Sequence, residues 1–101
     1  MDLKTLQERI YQNKLNRKFN TEDVGKEIIL LTEELGELAK AYKHSNKKIA
    51  KEIDNKEEIL DAIGDITVYC LGLFAMLDVD SSKILESIVS NNETRTHTGQ
   101  I

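Results

Sequence analysis

The feature that most constrains the fold of this chain is a helical hydrophobic repeat that carries three carboxylates in its middle. Between Val24 and Tyr42, apolar residues recur at steps of three and four, which is the spacing of one face of an α-helix. Glu34 and Glu37 lie one turn apart on the neighbouring stripe, close to the surface that the repeat predicts to be buried. Two like charges held there repel each other and resist desolvation, and a divalent cation is a common compensation. The repeat therefore predicts a core helix and a metal site beside it.

The composition favours helices in the rest of the chain as well. There is no proline and there are only five glycines, with 40% hydrophobic and 32% charged residues, which leaves little material for the turns of an all-β fold. We expect one all-α domain over residues 1–101, a four-helix-type bundle, with residues 96–101 as a polar tail. So short a chain cannot easily cover a helix that is apolar on all sides. We therefore expect a homodimer or a homotetramer to complete the bundle.

Charge and hydropathy argue against two classes of partner. The net charge of −4, without a basic stripe, argues against nucleic acid. No apolar run has the length of a membrane span, and the start Met1–Leu6 lacks the apolar core of a signal peptide. We expect a soluble cytoplasmic protein with no membrane partner. The single cysteine, Cys70, is predicted to pack in the core, and the isolated His44 and His97 are predicted to lie on the surface.

Capping residues divide the chain into four predicted helices. The first runs from Leu3 to about Arg17 with Asp2 as its cap, and the second runs from its cap Thr21 to about Lys43. The third runs from Asn55 to about Leu77. The fourth starts at its cap, Asp80 or Ser81, and extends into residues 91–95. The second half of the third helix, residues 66–77, carries no charge. A helix that is apolar on all sides is usually buried on all sides, so we expect this helix to be central.

The third helix also carries carboxylates on one side. Glu58, Asp61 and Asp65 recur at steps of three and four, and Asp65 stands where the helix loses its charges. If the second and third helices pack antiparallel with their acidic sides facing, four or more carboxylate oxygens converge, which suits Mg²⁺ or Mn²⁺ better than zinc. Gly36 and Gly64 are expected to let the helices approach closely. The same spacing is equally typical of surface acids on an ordinary bundle.

The segment Glu33-Glu34-Leu35-Gly36-Glu37, followed by Gly64-Asp65 and a long apolar run, resembles the MazG-like all-α nucleoside triphosphate pyrophosphohydrolases, whose signature is EExxE, a spacer and ExxD. The resemblance spans most of the two central helices. It implies a Mg²⁺-dependent enzyme, with Mn²⁺ as a possible substitute, that cleaves a (d)NTP or a related nucleotide to the monophosphate and pyrophosphate. Glu33 would orient or deprotonate the attacking water. The other implied site residues are the metal ligands Glu34, Glu37, Glu58, Asp61 and Asp65 and the substrate contacts Lys14, Asn92 and Arg95.

Two registers of the ExxD motif remain open. Aligned on Gly64-Asp65, the glutamate of the motif falls on Ala62, whereas Glu58-Ile59-Leu60-Asp61 keeps both acids but shifts the match to the apolar run by one turn. The loss of a ligand at Ala62 supports an alternative hypothesis, a catalytically weakened nucleotide-binding module or a purely structural one.

Overall fold

Four α-helices account for most of residues 1–95, the part of the chain that the computed structural model describes. They are α1 (Leu3–Asn16), α2 (Val24–His44), α3 (Lys56–Met76) and α4 (Ser81–Glu93), with a short 3₁₀ turn at Ala50–Glu52 between α2 and α3. Residues 1–95 contain no strand, so the prediction of an all-α fold is confirmed.

Side-chain caps explain where most of the helices begin. Asp2 and Asp80 cap α1 and α4, as predicted, with hydrogen bonds of 2.8 and 2.9 Å from backbone N–H groups of the first turn. The predicted cap at Thr21 is wrong, because Asp23 caps α2 and accepts a backbone N–H at 3.0 Å. The side-chain oxygen of Asn20 accepts the backbone N–H groups of Glu22 and of the cap residue Asp23. The resulting turn keeps the chain out of the helix until Val24.

The central helix is α3, because α1, α2 and α4 all pack against it. α2 runs antiparallel to α3, since the amide of Asn55 at the start of α3 donates to the carbonyl oxygen of Ala41 near the end of α2, at 2.7 Å. Within residues 1–95 the backbones of α1 and α2 make no close approach to each other. The helices therefore leave a cleft between α1 and α2, with α3 as its floor.

A buried glutamine ties α1 to the turn between α3 and α4. The amide nitrogen of Gln7 donates to the carbonyl oxygen of Val79 at 2.7 Å, and its amide oxygen accepts the backbone N–H of Ser81 at 2.9 Å. Both polar groups of this side chain are therefore satisfied although it is almost fully buried. The turn that starts α4 is thus held against the first helix.

The prediction that the charge-free stretch 66–77 is buried on all sides is wrong for a single chain, because Val68 and Leu77 are 48% and 57% exposed. Earlier on α3, Leu60 and Ile63 are 52% and 45% exposed. The buried apolar residues are Ala41, Ala62 and Leu71. The prediction that no apolar run has the length of a membrane span is wrong by length and composition alone, because α3 meets these criteria with a mean hydropathy of 1.7 over its best window. Core helices of soluble proteins meet the same criteria. The expectation of no membrane partner stays a prediction.

The two glycines predicted to allow close helix approach, Gly36 and Gly64, have open space around them. A Cβ added at Gly36 or Gly64 would meet nothing within 4 Å, so that interpretation is wrong for contacts within the described chain. At Gly72 on α3, an added Cβ would lie 3.7 Å from Ile10 and 3.9 Å from Lys14. These are ordinary van der Waals distances, so an alanine would also fit where α1 passes over α3 at the floor of the cleft.

Candidate active site

A cavity of about 570 Å³ fills the cleft between α1 and α2. Its walls come from the end of α1, the connection to α2 and the first turns of α2, and its floor comes from α3. The lining residues are Ile10, Asn13, Lys14, Lys18, Phe19, Asn20, Lys26, Glu27, Leu30, Asp65, Val68, Tyr69 and Gly72. Two residues that the sequence singled out, Lys14 and Asp65, are thus brought to one cavity although they lie on different helices.

A buried ion pair crosses the cleft. The ammonium of Lys14 on α1 lies 2.6 Å from a carboxylate oxygen of Glu27 on α2, and the two side chains are 12% and 4% exposed. The other carboxylate oxygen of Glu27 accepts a hydrogen bond from Asn20 at 2.9 Å. Burial acts to raise the pKa of Glu27, but the hydrogen bonds from Asn20 and Lys14 and the charge of Lys14 outweigh it, so the pKa is lowered. Glu27 is therefore a paired carboxylate with a structural role.

Several acids of α2 and α3 act on one tyrosine hydroxyl in the cavity. The pKa of Tyr69 is raised, and burial is the largest cause. Nearby carboxylates raise it further, in the order Glu34, Glu27, Asp65 and Glu33. Three of these four acids, Glu34, Asp65 and Glu33, belong to the predicted site, and they come from two different helices. The antiparallel packing of α2 and α3 therefore does bring acids of both motifs to the same region.

The acids are not assembled into a preformed metal site. Within residues 1–95, no three His, Cys, Asp or Glu side chains are placed to hold one ion. In the same range, none of Glu33, Glu34, Glu37, Asp61 and Asp65 has a salt-bridge partner. Glu34 is half-buried, whereas Glu37, Asp61 and Asp65 are exposed. These carboxylates are therefore free to bind a cation or a partner, and their roles as metal ligands stay predictions.

Glu58 lies at the other end of the α2–α3 pair. One of its carboxylate oxygens lies 3.2 Å from Nδ1 of His44, and the other accepts a hydrogen bond from Asn55 at 3.1 Å. These contacts lower the pKa of Glu58, with the Asn55 hydrogen bond as the largest cause and His44 as the next. Ala62, where one register of the motif lacks its glutamate, is buried. Glu58 is thus engaged in contacts that join α3 to the end of α2.

The predicted substrate contacts are separated in the structure. Lys14 lines the cavity, but its ammonium is committed to Glu27. Asn92 and Arg95 lie at the end of α4, where the backbone N–H of Arg95 donates to the carbonyl oxygen of Asn92 at 3.3 Å, and neither lines this cavity. His97 lies outside the described residues.

Sequence reasoning missed three charged residues of the cavity, Lys18, Lys26 and Glu27. A signal existed for Glu27, which shares a helical stripe with Glu34 two turns later. No such signal existed for Lys18 and Lys26, because isolated lysines near a helix start are typical of any solvated surface.

In this helical bundle α2, which carries the EExxE segment, packs antiparallel to the apolar α3, whose Asp65 lines the cavity. This arrangement is typical of the class of all-α nucleotide pyrophosphohydrolases. Residues 3–92 match the family model described as phosphoribosyl-ATP pyrophosphohydrolase, so the chain belongs to that family, which is part of the MazG-like superfamily. The resemblance noted from the sequence is thereby confirmed. No curated protein and no solved structure gives a significant match. The family implies a nucleotide pyrophosphohydrolase activity.

Proposed function

We propose that this protein is a Mg²⁺-dependent pyrophosphohydrolase that cleaves a nucleoside triphosphate or a related nucleotide to the monophosphate and pyrophosphate. Phosphoribosyl-ATP, which the family description names, is one candidate substrate. The observation that carries the proposal is that Asp65 of α3 lines the cavity together with Tyr69, while α2, which carries Glu34, packs against α3. The raised pKa of Tyr69, to which the charges of Glu34 and Asp65 both contribute, agrees with this placement. The cavity volume of about 570 Å³ lies within the range of roughly 300–1,000 Å³ that is usual for small-molecule sites.

The donor chemistry of this site fits magnesium. Mg²⁺ prefers carboxylate oxygens, and at phosphate-binding sites it commonly takes one or two carboxylates and completes its shell with water and substrate phosphates. Glu34 and Asp65 supply such a pair and have no competing salt bridge within residues 1–95. Bound there, Mg²⁺ would offset the negative charge of the phosphates. A group of three acids is therefore not required before the substrate binds.

The contacts of Glu58 favour one of the two motif registers. Because Glu58 is already hydrogen-bonded to Asn55 and lies beside His44, its use as a ligand would cost these contacts. We therefore propose Asp65 as the main ligand from α3. Glu37, one turn after Glu34, and Asp61, one turn before Asp65, are further candidates on the exposed side.

Glu33 is the proposed general base. It adjoins Glu34 on α2 and is exposed, so a water molecule has access to it. The oxygen of that water would bond to a phosphorus atom of the substrate while its proton passes to Glu33. Attack at the α-phosphorus breaks its bond to the bridging oxygen, and pyrophosphate is the leaving group. Attack at the β-phosphorus breaks the bond between that phosphorus and the bridging oxygen, and the monophosphate is the leaving group.

We also propose that a second copy of the chain covers the exposed side of α3. A compact domain of 11.5 kDa exposes about 5,800 Å², whereas this chain exposes 7785 Å². Its radius of gyration is 15.9 Å, against about 13 Å for a compact domain of 101 residues. The excess area is of the size that stable dimers bury.

Light scattering tests this assembly. The unmodified chain should have at least twice the mass of a monomer, and Ile63→Glu, which places a charge on the exposed side of α3, should shift the mass towards the monomer. Glu86→Lys on exposed α4 is the control for a changed surface charge. A monomer at all working concentrations would contradict the proposal.

The alternative function is nucleotide binding without turnover. The alanine at position 62 favours this alternative, because one register of the motif requires a metal-binding carboxylate at that position. Calorimetry separates the two functions, since a binding module shows nucleotide affinity in an assay that detects no product.

The decisive experiment is a screen of ribonucleotides, deoxyribonucleotides and phosphoribosyl-ATP with detection of pyrophosphate. Release should depend on Mg²⁺ or Mn²⁺, and Asp65→Asn should slow it by about a hundredfold because a charge that stabilises the transition state is lost. Glu86→Gln on α4 is a matched control, since it removes an exposed carboxylate that does not line the cavity. No release from any nucleotide at high enzyme concentration would overturn the catalytic proposal.

A further inference from the structure

We propose that Lys18 and Lys26 form an anion subsite that binds a phosphate monoester of the substrate, separate from the phosphates near Glu34 and Asp65. The inference rests on the proposed function, because it assigns this second anionic group to the same nucleotide. Both lysines line the cavity. Lys26 precedes Glu34 by two helical turns, which is roughly 12 Å along the α2 axis. One phosphate group cannot span that distance, so Lys26 and Glu34 would act on different groups of the substrate.

The backbone at Lys18 is the first observation that supports this subsite. Lys18 has a φ of 57°, in the left-handed region. It follows the C-cap residue of α1, and the hydrogen bonds from the N–H of Phe19 to the carbonyl of Lys14 and from the N–H of Lys18 to the carbonyl of Leu15 form a Schellman motif. Glycine is the usual residue at that position, because a Cβ is disfavoured there. A lysine at this position therefore points to a use for its side chain.

The charge balance of the cavity is the second observation. Three lysines line it, and the ammonium of Lys14 is neutralised by Glu27 at 2.6 Å. Lys18 and Lys26 have no carboxylate within 4.0 Å in the described part of the chain. The two unpaired positive charges thus lie near the start of α2, whereas the unpaired Asp65 lies on α3.

The two charges fit a phosphate monoester. Such a group carries close to two negative charges at neutral pH, and lysine binds phosphate as a flexible point charge. Phe19 also lines this part of the cavity and lies under the guanidinium of Arg17, 4.7 Å from the ring centroid, which adds a third cation nearby. The combined field favours a dianion over a neutral sugar.

Metal-free NMR titration with ribose 5-phosphate, and with ribose as the uncharged control, tests the subsite. Lys18→Gly should weaken ribose 5-phosphate binding about tenfold, since a hydrogen bond to a charged group is lost. The same substitution should raise the melting temperature by about 3 °C, because glycine relieves the left-handed backbone. A folding defect would lower both the affinity for ribose 5-phosphate and the melting temperature, so it would not produce a weaker affinity together with a higher melting temperature.

Asp78→Gly is the matched control. Asp78 is the other residue with a positive φ within residues 1–95, at 58°, and it lines a different cavity. This variant should also be more stable, with unchanged ribose 5-phosphate affinity. The proposal is overturned if Lys18→Gly binds ribose 5-phosphate as tightly as the unmodified protein, if Asp78→Gly weakens it equally, or if the unmodified protein binds ribose 5-phosphate no better than ribose.

The outcome is independent of catalysis. If no nucleotide is hydrolysed but Lys18→Gly still weakens ribose 5-phosphate binding, the hydrolase proposal fails and the subsite stands. If pyrophosphate is released and the variant binds normally, the hydrolase proposal stands and the subsite fails.

Discussion

Replacing Lys14 by methionine tests whether the ion pair across the cleft stabilises the fold. The ammonium lies 2.6 Å from Glu27 and both side chains are nearly buried, so the substitution leaves a buried carboxylate with Asn20 as its remaining partner. Loss of one partner of a buried pair costs about 3–5 kcal/mol, and the retained Asn20 bond reduces this to roughly 2–3 kcal/mol. For a domain of this size the melting temperature should fall by about 10–15 °C at pH 8.

The effect should depend on pH in a defined direction. In the unmodified protein the pKa of Glu27 is lowered, so its stabilising contribution is present at neutral pH and is lost as the pH falls through that lowered pKa. In Lys14→Met, burial without the ammonium should raise the pKa of Glu27. As the pH falls, protonation of Glu27 then removes the cost of a buried, unpaired negative charge in the variant. The difference in unfolding free energy between the two proteins should therefore be large at pH 8 and should shrink as the pH falls through the lowered pKa of Glu27 in the unmodified protein.

Urea unfolding followed by circular dichroism at several pH values measures this difference directly. Subtracting the unfolding free energy of the variant from that of the unmodified protein at each pH removes the contribution of the other titrating groups, which both proteins share. Lys83→Met, on exposed α4 and without a salt bridge in the described residues, is the control and should change stability little at any pH. A pH-independent loss, or a loss below about 0.5 kcal/mol at pH 8, would refute the reasoning.

Three further predictions follow from other contacts. Gln7→Leu should lower the unfolding free energy by about 2–3 kcal/mol, because it leaves two backbone groups unpaired, whereas the exposed Gln12→Leu should have little effect in the same urea experiment. The pKa of Asp54 is lowered from 3.8 to about 2, chiefly by the Ser45 hydrogen bond, so Asp54→Ala should lower the melting temperature at pH 7, and this effect should shrink as the pH falls towards 2. An effect at pH 2 as large as that at pH 7 would contradict the assignment. Mg²⁺ should lower the raised pKa of Tyr69, because a bound cation offsets the negative charge of the nearby acids. An absorbance titration of a variant without the other tyrosines measures this pKa, and an unchanged pKa on addition of Mg²⁺ would contradict the prediction.

The helices and the family could be predicted from the sequence because both depend on local spacing. Three features can be recognised without any knowledge of tertiary contacts: the apolar repeat at steps of three and four in α2, the charge-free half of α3, and the aspartates before α1 and α4. The start of α2 was misplaced since Thr21 and Asp23 are both good caps, and the choice depends on the turn that Asn20 makes.

The rest required tertiary contacts. The pairing of Lys14 with Glu27 joins two helices whose relative placement no periodicity encodes. Likewise, the sequence of α3 predicts an apolar helix surface, but it does not predict whether other helices of the same chain or a second copy of the chain cover that surface. Position within the motif also did not distinguish Asp65, which lines the cavity, from Glu58, which is held by His44 and Asn55 at the other end.

The central claim is that α2 and α3 share one cation site at Glu34 and Asp65, and the paramagnetic ion Mn²⁺ tests it most directly. On titration with substoichiometric Mn²⁺, backbone amide signals around Glu34 and around Asp65 should broaden together, and Asp65→Asn should reduce both effects. Broadening confined to one helix, or centred on Glu58 and His44 at the far end of α3, would contradict the claim.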